Sequence, residues 1–263
     1  MGAEHTAPHS EQLRSLLTPA ARSVLDRALA ADPHPPFWSL TDPGRTDRGF
    51  TQRMMHRPAL AGVYERWWRP LWTQAFTGVN PHGLSSEIDR ARQQLHLEPG
   101  STVLDVGCGP ATFTRVLATE VGHDGLAVGL DPSVAMLEQG ARQVANGPEL
   151  PLVLVRGRAE SLPFADDSFD AVCCFGTLYL MDEPEQALDE MTRVIRPGGR
   201  LALMASARRA IPHPIVAPLR TVTGIRLFDG DELESGLADR GIDIEGRQVD
   251  GLVQELWGEL AER

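Results

Sequence analysis

From residue 101 onward, short β-branched apolar runs alternate with segments whose apolar positions recur every three or four residues. The runs predict strands over Thr102–Val106, Gly125–Asp131, Leu152–Arg158, Phe169–Phe175 and Arg200–Ala205, with two more near Ile242–Gln248 and Leu252–Trp257. Such alternation predicts a mostly parallel sheet with helices on both faces. The last two runs leave almost no room for a helix between them. They are expected to pair as a hairpin, so that one strand of the seven is antiparallel.

The first hundred residues are patterned differently. Residues 1–9 are polar and expected to be disordered. A helix is predicted after Thr18, with Thr18 as N-cap, Pro19 at its first position and Val24, Leu25, Ala28 and Leu29 on one face. Asp32-Pro33 and Pro35-Pro36 end it, and 32–50 reads as an irregular loop. A second helical segment is expected from about Ala59 to Phe76. There Tyr64, Trp67, Trp68, Leu71 and Trp72 form an i, i+3, i+4, i+7, i+8 stripe, and Pro70 should kink it. That stripe either docks the helix on the main domain or lines a lid over an apolar ligand. The predicted organisation is an N-terminal helical extension or lid over 1–80 and a main α/β domain over 81–263. Residues 206–228, with Pro212, Pro214, Pro218 and several apolar residues, form an insertion at the ligand edge of the sheet.

Composition narrows the function classes. The 263 residues suit one α/β domain with an appended segment, and 42% apolar content supports a sizeable core. No apolar run approaches the ~18 residues of a membrane helix. No basic-then-apolar leader opens the chain. Met1-Gly2-Ala3-Glu4-His5-Thr6 fits the loose myristoylation pattern, which is short enough to arise by chance. The net charge is −11, every Lys/Arg-type residue is arginine, and Arg208-Arg209 is the densest basic pair. Nucleic acid is therefore not the expected substrate, because phosphates call for a basic track. Cys108, Cys173 and Cys174 match no zinc spacing and no disulfide framework, so reduced structural thiols and a cytoplasmic location are expected.

The candidate chemistry lies at strand ends. The first strand runs into Asp105-Val106-Gly107-Cys108-Gly109-Pro110-Ala111-Thr112, a strand–glycine turn–helix unit that lets a ligand approach the backbone closely. A dinucleotide fingerprint needs glycine where this chain has Thr112. An acid at Asp105 would also oppose a pyrophosphate and suit a cation. Asp131 ends the second strand ~20 residues later, where a carboxylate can accept from two ribose hydroxyls or cap the following helix.

With Ala159-Glu160-Ser161-Leu162-Pro163-Phe164, Ser168-Phe169-Asp170 and Arg196-Pro197-Gly198-Gly199 added, the chain resembles the class I S-adenosylmethionine (SAM)-dependent methyltransferases. The likeness is strongest to the small-molecule group that includes the ubiquinone/menaquinone enzymes, and it covers roughly 95–205. The resemblance implies a Rossmann-like sheet and roles by position. Asp105, Gly107, Cys108 and Gly109 would hold the methionine part of SAM. Asp131 would take the ribose, with Pro132 and Met136 against the adenine and Ala159 and Glu160 at its edge. Phe175, Gly176 and Thr177 would sit behind the sulfonium, and Tyr64 would close over the carboxylate end. S-adenosylhomocysteine would be the product.

Two departures stand out. Ala111 replaces a glycine frequent in the family, and its methyl is expected to be tolerated if the cofactor sits slightly higher. Tyr179-Leu180 stands where many relatives carry histidine, so a general base must come from His56, His82, His213 or Tyr179, if one is used. The apolar and aromatic content of 59–76 and 206–228 points to a small aromatic or lipophilic acceptor. The competing readings are a SAM-fold enzyme that does not methylate (a cyclase or decarboxylase type), an NAD-dependent oxidoreductase and a non-enzymatic binding module.

Overall fold

A computed structural model describes residues 9–32, 35–40, 83–208 and 226–262 of the chain, and the elements and contacts given are of those residues. The strands are β1 (Trp38–Ser39), β2 (Thr102–Val106), β3 (Leu126–Asp131), β4 (Leu152–Arg156), β5 (Phe169–Phe175), β6 (Ile195–Ser206), β7 (Ile242–Asp250) and β8 (Val253–Leu260). The helices are α1 (Ser10–Leu16), α2 (Pro19–Ala31), α3 (Gly83–Leu95), α4 (Thr112–Val121), α5 (Val134–Ala145), α6 (Pro184–Val194) and α7 (Gly230–Asp239), with a short 3-10 turn at Leu178–Leu180.

The strands form one sheet in the order β1-β4-β3-β2-β5-β6-β8-β7. All neighbours are parallel except at β8, which runs antiparallel to both β6 and β7. The hairpin and its single reversed strand are as the sequence predicts. The strand count is not: eight strands replace seven, because two residues of the expected 32–50 loop, Trp38 and Ser39, pair with Val155 and Arg156 at the edge. Buried Trp38 holds that short strand in place, and two residues are too few to show a period-two pattern.

Alternation along the strands divides the core. Leu104 and Val106 of β2, with Val128, Leu130, Val153, Val155, Leu201 and Leu203, face α1, α2, α6 and α7. Val103, Ala127, Leu154, Ala171, Cys173 and Ala202 face α3, α4 and α5 through Leu95, Leu117, Val121 and Leu137. Both faces are covered, which is why the strands read as nearly continuous apolar runs.

Local capping sets the helix starts. Thr18 Oγ1 accepts from Ala21 N (3.3 Å) with Pro19 behind it, as expected. Helix α1 was not expected. Its Leu13 and Leu16, with Leu17 after it, are buried in the sheet core, and Leu16 O and Thr18 N bond to Ala165 N and Pro163 O. Residues 10–32 and 35–40 thus pack into the same core as the main sheet through Leu13, Leu17, Leu25, Trp38 and Leu40. The helical stripe expected over 59–76 and most of the 206–228 insertion lie outside the described residues. Among the described residues no helix is long and apolar enough to cross a membrane.

Candidate functional site

In an open parallel sheet the ligand crevice lies beyond the strands' carboxyl ends, where the winding changes direction. Here the direction changes at β2, from which the chain builds out through β3 and β4 on one side and β5 and β6 on the other. The glycine turn follows β2 at this point. Gly107 (φ +76°) and Gly109 (φ +53°) both adopt the left-handed backbone that favours glycine. Their surroundings differ. A Cβ on Gly107 would lie 2.6 Å from Thr177 Cβ, whereas one on Gly109 would meet nothing within 4 Å. Gly107 is a packing requirement. Gly109 bares its backbone to open space.

The turn is tied to its neighbours by hydrogen bonds. Gly107 N and Cys108 N donate to Leu130 O (2.7 and 3.1 Å). Gly109 N donates to Asp131 Oδ2 (3.0 Å), and Ser133 N donates to Asp131 Oδ1 (2.8 Å). Asp131 is buried at 7% exposure and links the glycine turn to the start of α5. The helix cap is Ser133, whose Oγ accepts from Met136 N, and not Asp131. Pro132 alone separates the strand end from the cap, so the carboxylate stays at the end of β3.

Asp105 lies deeper. It is 3% exposed, accepts from Thr114 Oγ1 at Oδ2 (2.6 Å) and has Cys173 Sγ 3.8 Å from Oδ1. Burial pushes its carboxyl up to about 6, against the Thr114 hydrogen bond, which lowers it. Asp105 therefore pins the first turn of α4 to β2 beneath the glycine turn. Cys108, Cys173 and Cys174 are all buried and unpaired. Burial pushes their thiols up, Cys174 to about 12, so none is a thiolate nucleophile near neutral pH.

The β5 end forms the other wall. Thr177 Oγ1 donates to Val106 O (3.1 Å) and touches Cys174 Sγ (3.1 Å), which locks this loop under Gly107. Phe175 meets Phe113 of α4 with ring centroids 4.9 Å apart. The Tyr179 hydroxyl lies 4.0 Å from where a Cβ on Gly176 would stand, so this candidate base is at the crevice. On the β4 side Ala159 is buried, and Arg158 holds the Glu160 carboxylate at 3.2 Å and faces Asp182 at 3.7 Å. Met136 is buried in the first turn of α5, and Pro132 O accepts from Arg156 Nε (3.4 Å).

Ala111 corrects one expectation. It takes the left-handed conformation (φ +62°) that makes glycine frequent there, but its methyl points at Gly140 of α5. A Cβ on Gly140 would come 3.2 Å from that methyl. The methyl therefore does not require a ligand to sit higher. Tyr64, His56, His82 and His213 lie outside the described residues. Sequence reasoning missed Thr114, Phe113 and Ser133. Thr114 could have been found, because it is the polar member of the stripe Thr114, Leu117, Ala118, Val121 that α4 buries.

Residues 104–203 match the family model described as a methyltransferase domain. A demethylmenaquinone methyltransferase of Symbiobacterium thermophilum is 37% identical over 116 residues, 44% of this chain and 46% of that protein. The chain thus spans about half the length of the curated relatives it matches. Among solved structures, a SAM-dependent methyltransferase from Aquifex aeolicus superposes with TM-score 0.58 at 20% identity, over 78% of this chain and 99% of that one. The cyclase SpnF superposes with TM-score 0.62 at 18% identity, over 78% of this chain and 96% of that one.

Proposed function

We propose that the chain, whose residues 104–203 match a methyltransferase-domain family model and whose fold superposes on a SAM-dependent methyltransferase, transfers a methyl group from SAM to a small aromatic or lipophilic acceptor. The observation that carries the proposal is the junction of Gly109 and Asp131. A bare, left-handed glycine faces open space, and its N–H is held by a carboxylate at the adjoining strand end. That cradle fits a cationic ligand with a ribose better than a pyrophosphate, since it presents an acid and lacks the third glycine.

In this reading Asp131 takes the ribose hydroxyls, with Pro132, Met136, Ala159 and Glu160 around the base. Gly107, Cys108 and Gly109 bring the backbone up to the methionine part, and Asp105 and Thr177 hold that backbone from below. Phe175 and Gly176 form the wall beyond it, and Tyr64 closes over the carboxylate end. SAM supplies an electrophilic methyl on a sulfonium. The chain's task is to align the acceptor with it and keep water out. An acceptor that arrives as a neutral phenol or enol needs a proton removed. Tyr179, at the crevice beside Gly176, and His56, His82 and His213 are the candidates.

Two lines support the acceptor class. The relatives that match the central segment are named for a quinone precursor. The two segments expected to wall the acceptor, 59–76 and 206–228, are apolar and aromatic. Buried, unpaired thiols support a reducing, cytoplasmic setting.

The likeness to the cyclase SpnF favours a second reading, in which the cofactor site is kept and no methyl moves. Incubation with SAM and a demethylated naphthohydroquinone separates the two. The proposal expects S-adenosylhomocysteine to accumulate together with an acceptor one methyl heavier. An altered acceptor with SAM unconsumed would establish the second reading. If a panel of aromatic and lipophilic acceptors yields neither, the acceptor class is wrong.

A further inference from the structure

The end of β6 and the segment before α7 are fastened together beside the crevice. Phe228 N donates to Ser206 O (3.2 Å) and Arg208 N donates to Phe228 O (2.9 Å), around a short parallel bridge of Ala207 with Phe228. Gln254 of β8 is 1% exposed, and its Nε2 donates to both carbonyls, Ser206 O (3.2 Å) and Phe228 O (3.1 Å). An ion pair of Arg208 with Asp229 at 2.7 Å closes the junction.

One bond reaches past this junction toward the chemistry. Buried Ser206 donates from Oγ to Arg226 O, two residues before the bridged Phe228. Arg226 N in turn donates to Tyr179 O (3.1 Å). The Ser206 hydroxyl is thus one residue removed from the backbone of the candidate base. Tyr179 is the middle residue of the Leu178–Leu180 turn. Below it the chain is fixed by buried Leu178 and by the bond of Thr177 Oγ1 to Val106 O. The tie at Tyr179 O comes from outside the turn and sets the tilt of that peptide. With χ angles confined to staggered wells, the tilt decides where the ring points. The backbone bridge and Gln254 hold Phe228 without the Ser206 side chain. Loss of the hydroxyl therefore leaves the junction standing and slackens the tie to Arg226.

We propose that Ser206 is a positioning residue for the acceptor side of the crevice: acting through Arg226, it fixes where the Tyr179 hydroxyl stands. Its part in turnover rests on the methyl-transfer reading, in which Tyr179 takes a proton from the acceptor. The placement of the ring does not rest on that reading.

The chain has two tyrosines, Tyr64 and Tyr179, so isotope labelling of tyrosine rings gives two sets of magnetic-resonance signals. Those of Tyr179 are identified by their loss in Tyr179→Phe. Ser206→Ala is expected to move the Tyr179 signals and to leave S-adenosylhomocysteine affinity as in the wild type. With a demethylated naphthohydroquinone as acceptor, Tyr179→Phe should slow kcat at least tenfold. Ser206→Ala should slow kcat by about tenfold through misplacement of the ring. In the Tyr179→Phe background Ser206→Ala should add nothing, because the two act as a unit. Unmoved Tyr179 signals, a further loss of kcat in the double variant, or full turnover by Tyr179→Phe would overturn the proposal. So would a parallel loss of S-adenosylhomocysteine binding, which marks general disruption. A wild type that transfers no methyl counts against the methyl-transfer reading alone, since the Tyr179 signals still decide the placement.

Discussion

Gly107 and Gly109 are two residues apart and share a backbone conformation, yet they should respond differently to the same substitution. Gly107→Ala meets both the left-handed penalty of about 1–2 kcal/mol and overlap with Thr177, so about 3 kcal/mol of stability should be lost in denaturant unfolding. Gly109→Ala meets only the first, about 1–2 kcal/mol, but fills the open space of the cradle and should weaken S-adenosylhomocysteine binding more than tenfold. Equal effects on stability and binding at the two positions would contradict this division. The D-x-G-x-G spacing makes both glycines legible in the sequence. It does not reveal which faces a ligand, because Thr177 approaches Gly107 from 70 positions further along the chain. The partners of Asp105 are hidden for the same reason.

Asp105 also makes a pH prediction. Its carboxyl is raised from 3.8 to about 6 in the folded chain, chiefly by burial. Between those values the folded state binds more protons than the unfolded one. This group's contribution is therefore most favourable below pH 3.8 and is lost as pH rises through 6, a change of about 3 kcal/mol. Unfolding measured from pH 4 to 7 should show this slope in the wild type and not in Asp105→Asn. Parallel profiles would show that Asp105 does not titrate in this range.

Among the elements, long buried strands were legible and short ones were not. The bounds of β2 and β5 match the apolar runs because both faces of those strands are covered. The strand expected from Arg200 begins at Ile195, since Ile195 pairs with Phe169 and the Arg-Pro-Gly-Gly segment forms an unpaired bulge before pairing resumes at Arg200. Helix α1 is 7 residues long, too short for a periodic signal, and depends on docking Leu13 and Leu16. Helix α3 is fixed by a contact no local pattern shows: Arg90 forks onto Glu255 of β8, and Gln94 donates to the same carboxylate. Removing one partner of a buried pair leaves the other charge stranded. Arg90→Ala should therefore cost about 3 kcal/mol, whereas Arg14→Ala, which breaks an exposed pair with Asp26, should cost less than about 1 kcal/mol. Chemical denaturation of both variants checks this, and similar losses would contradict it.

At the scale of the whole molecule, one sheet with both faces covered leaves its chemistry to one edge, where the ends of β2, β3, β4 and β5 converge. The glycine turn and the acid at the end of β3 were readable, because a strand–glycine–helix unit is a short local motif. The acceptor class rests on composition alone: the segments expected to wall it, 59–76 and most of 206–228, lie outside the described residues. Asp131 and the glycine turn are proposed to hold a SAM-type cofactor, which calorimetric titration of S-adenosylhomocysteine into the wild type and into Asp131→Ala tests most directly, with the fold of both checked by circular dichroism. Roughly micromolar binding to the wild type is expected, weakened at least tenfold in the variant, about 1.4 kcal/mol. No binding to a well-folded wild type, or equal binding by both, would contradict it.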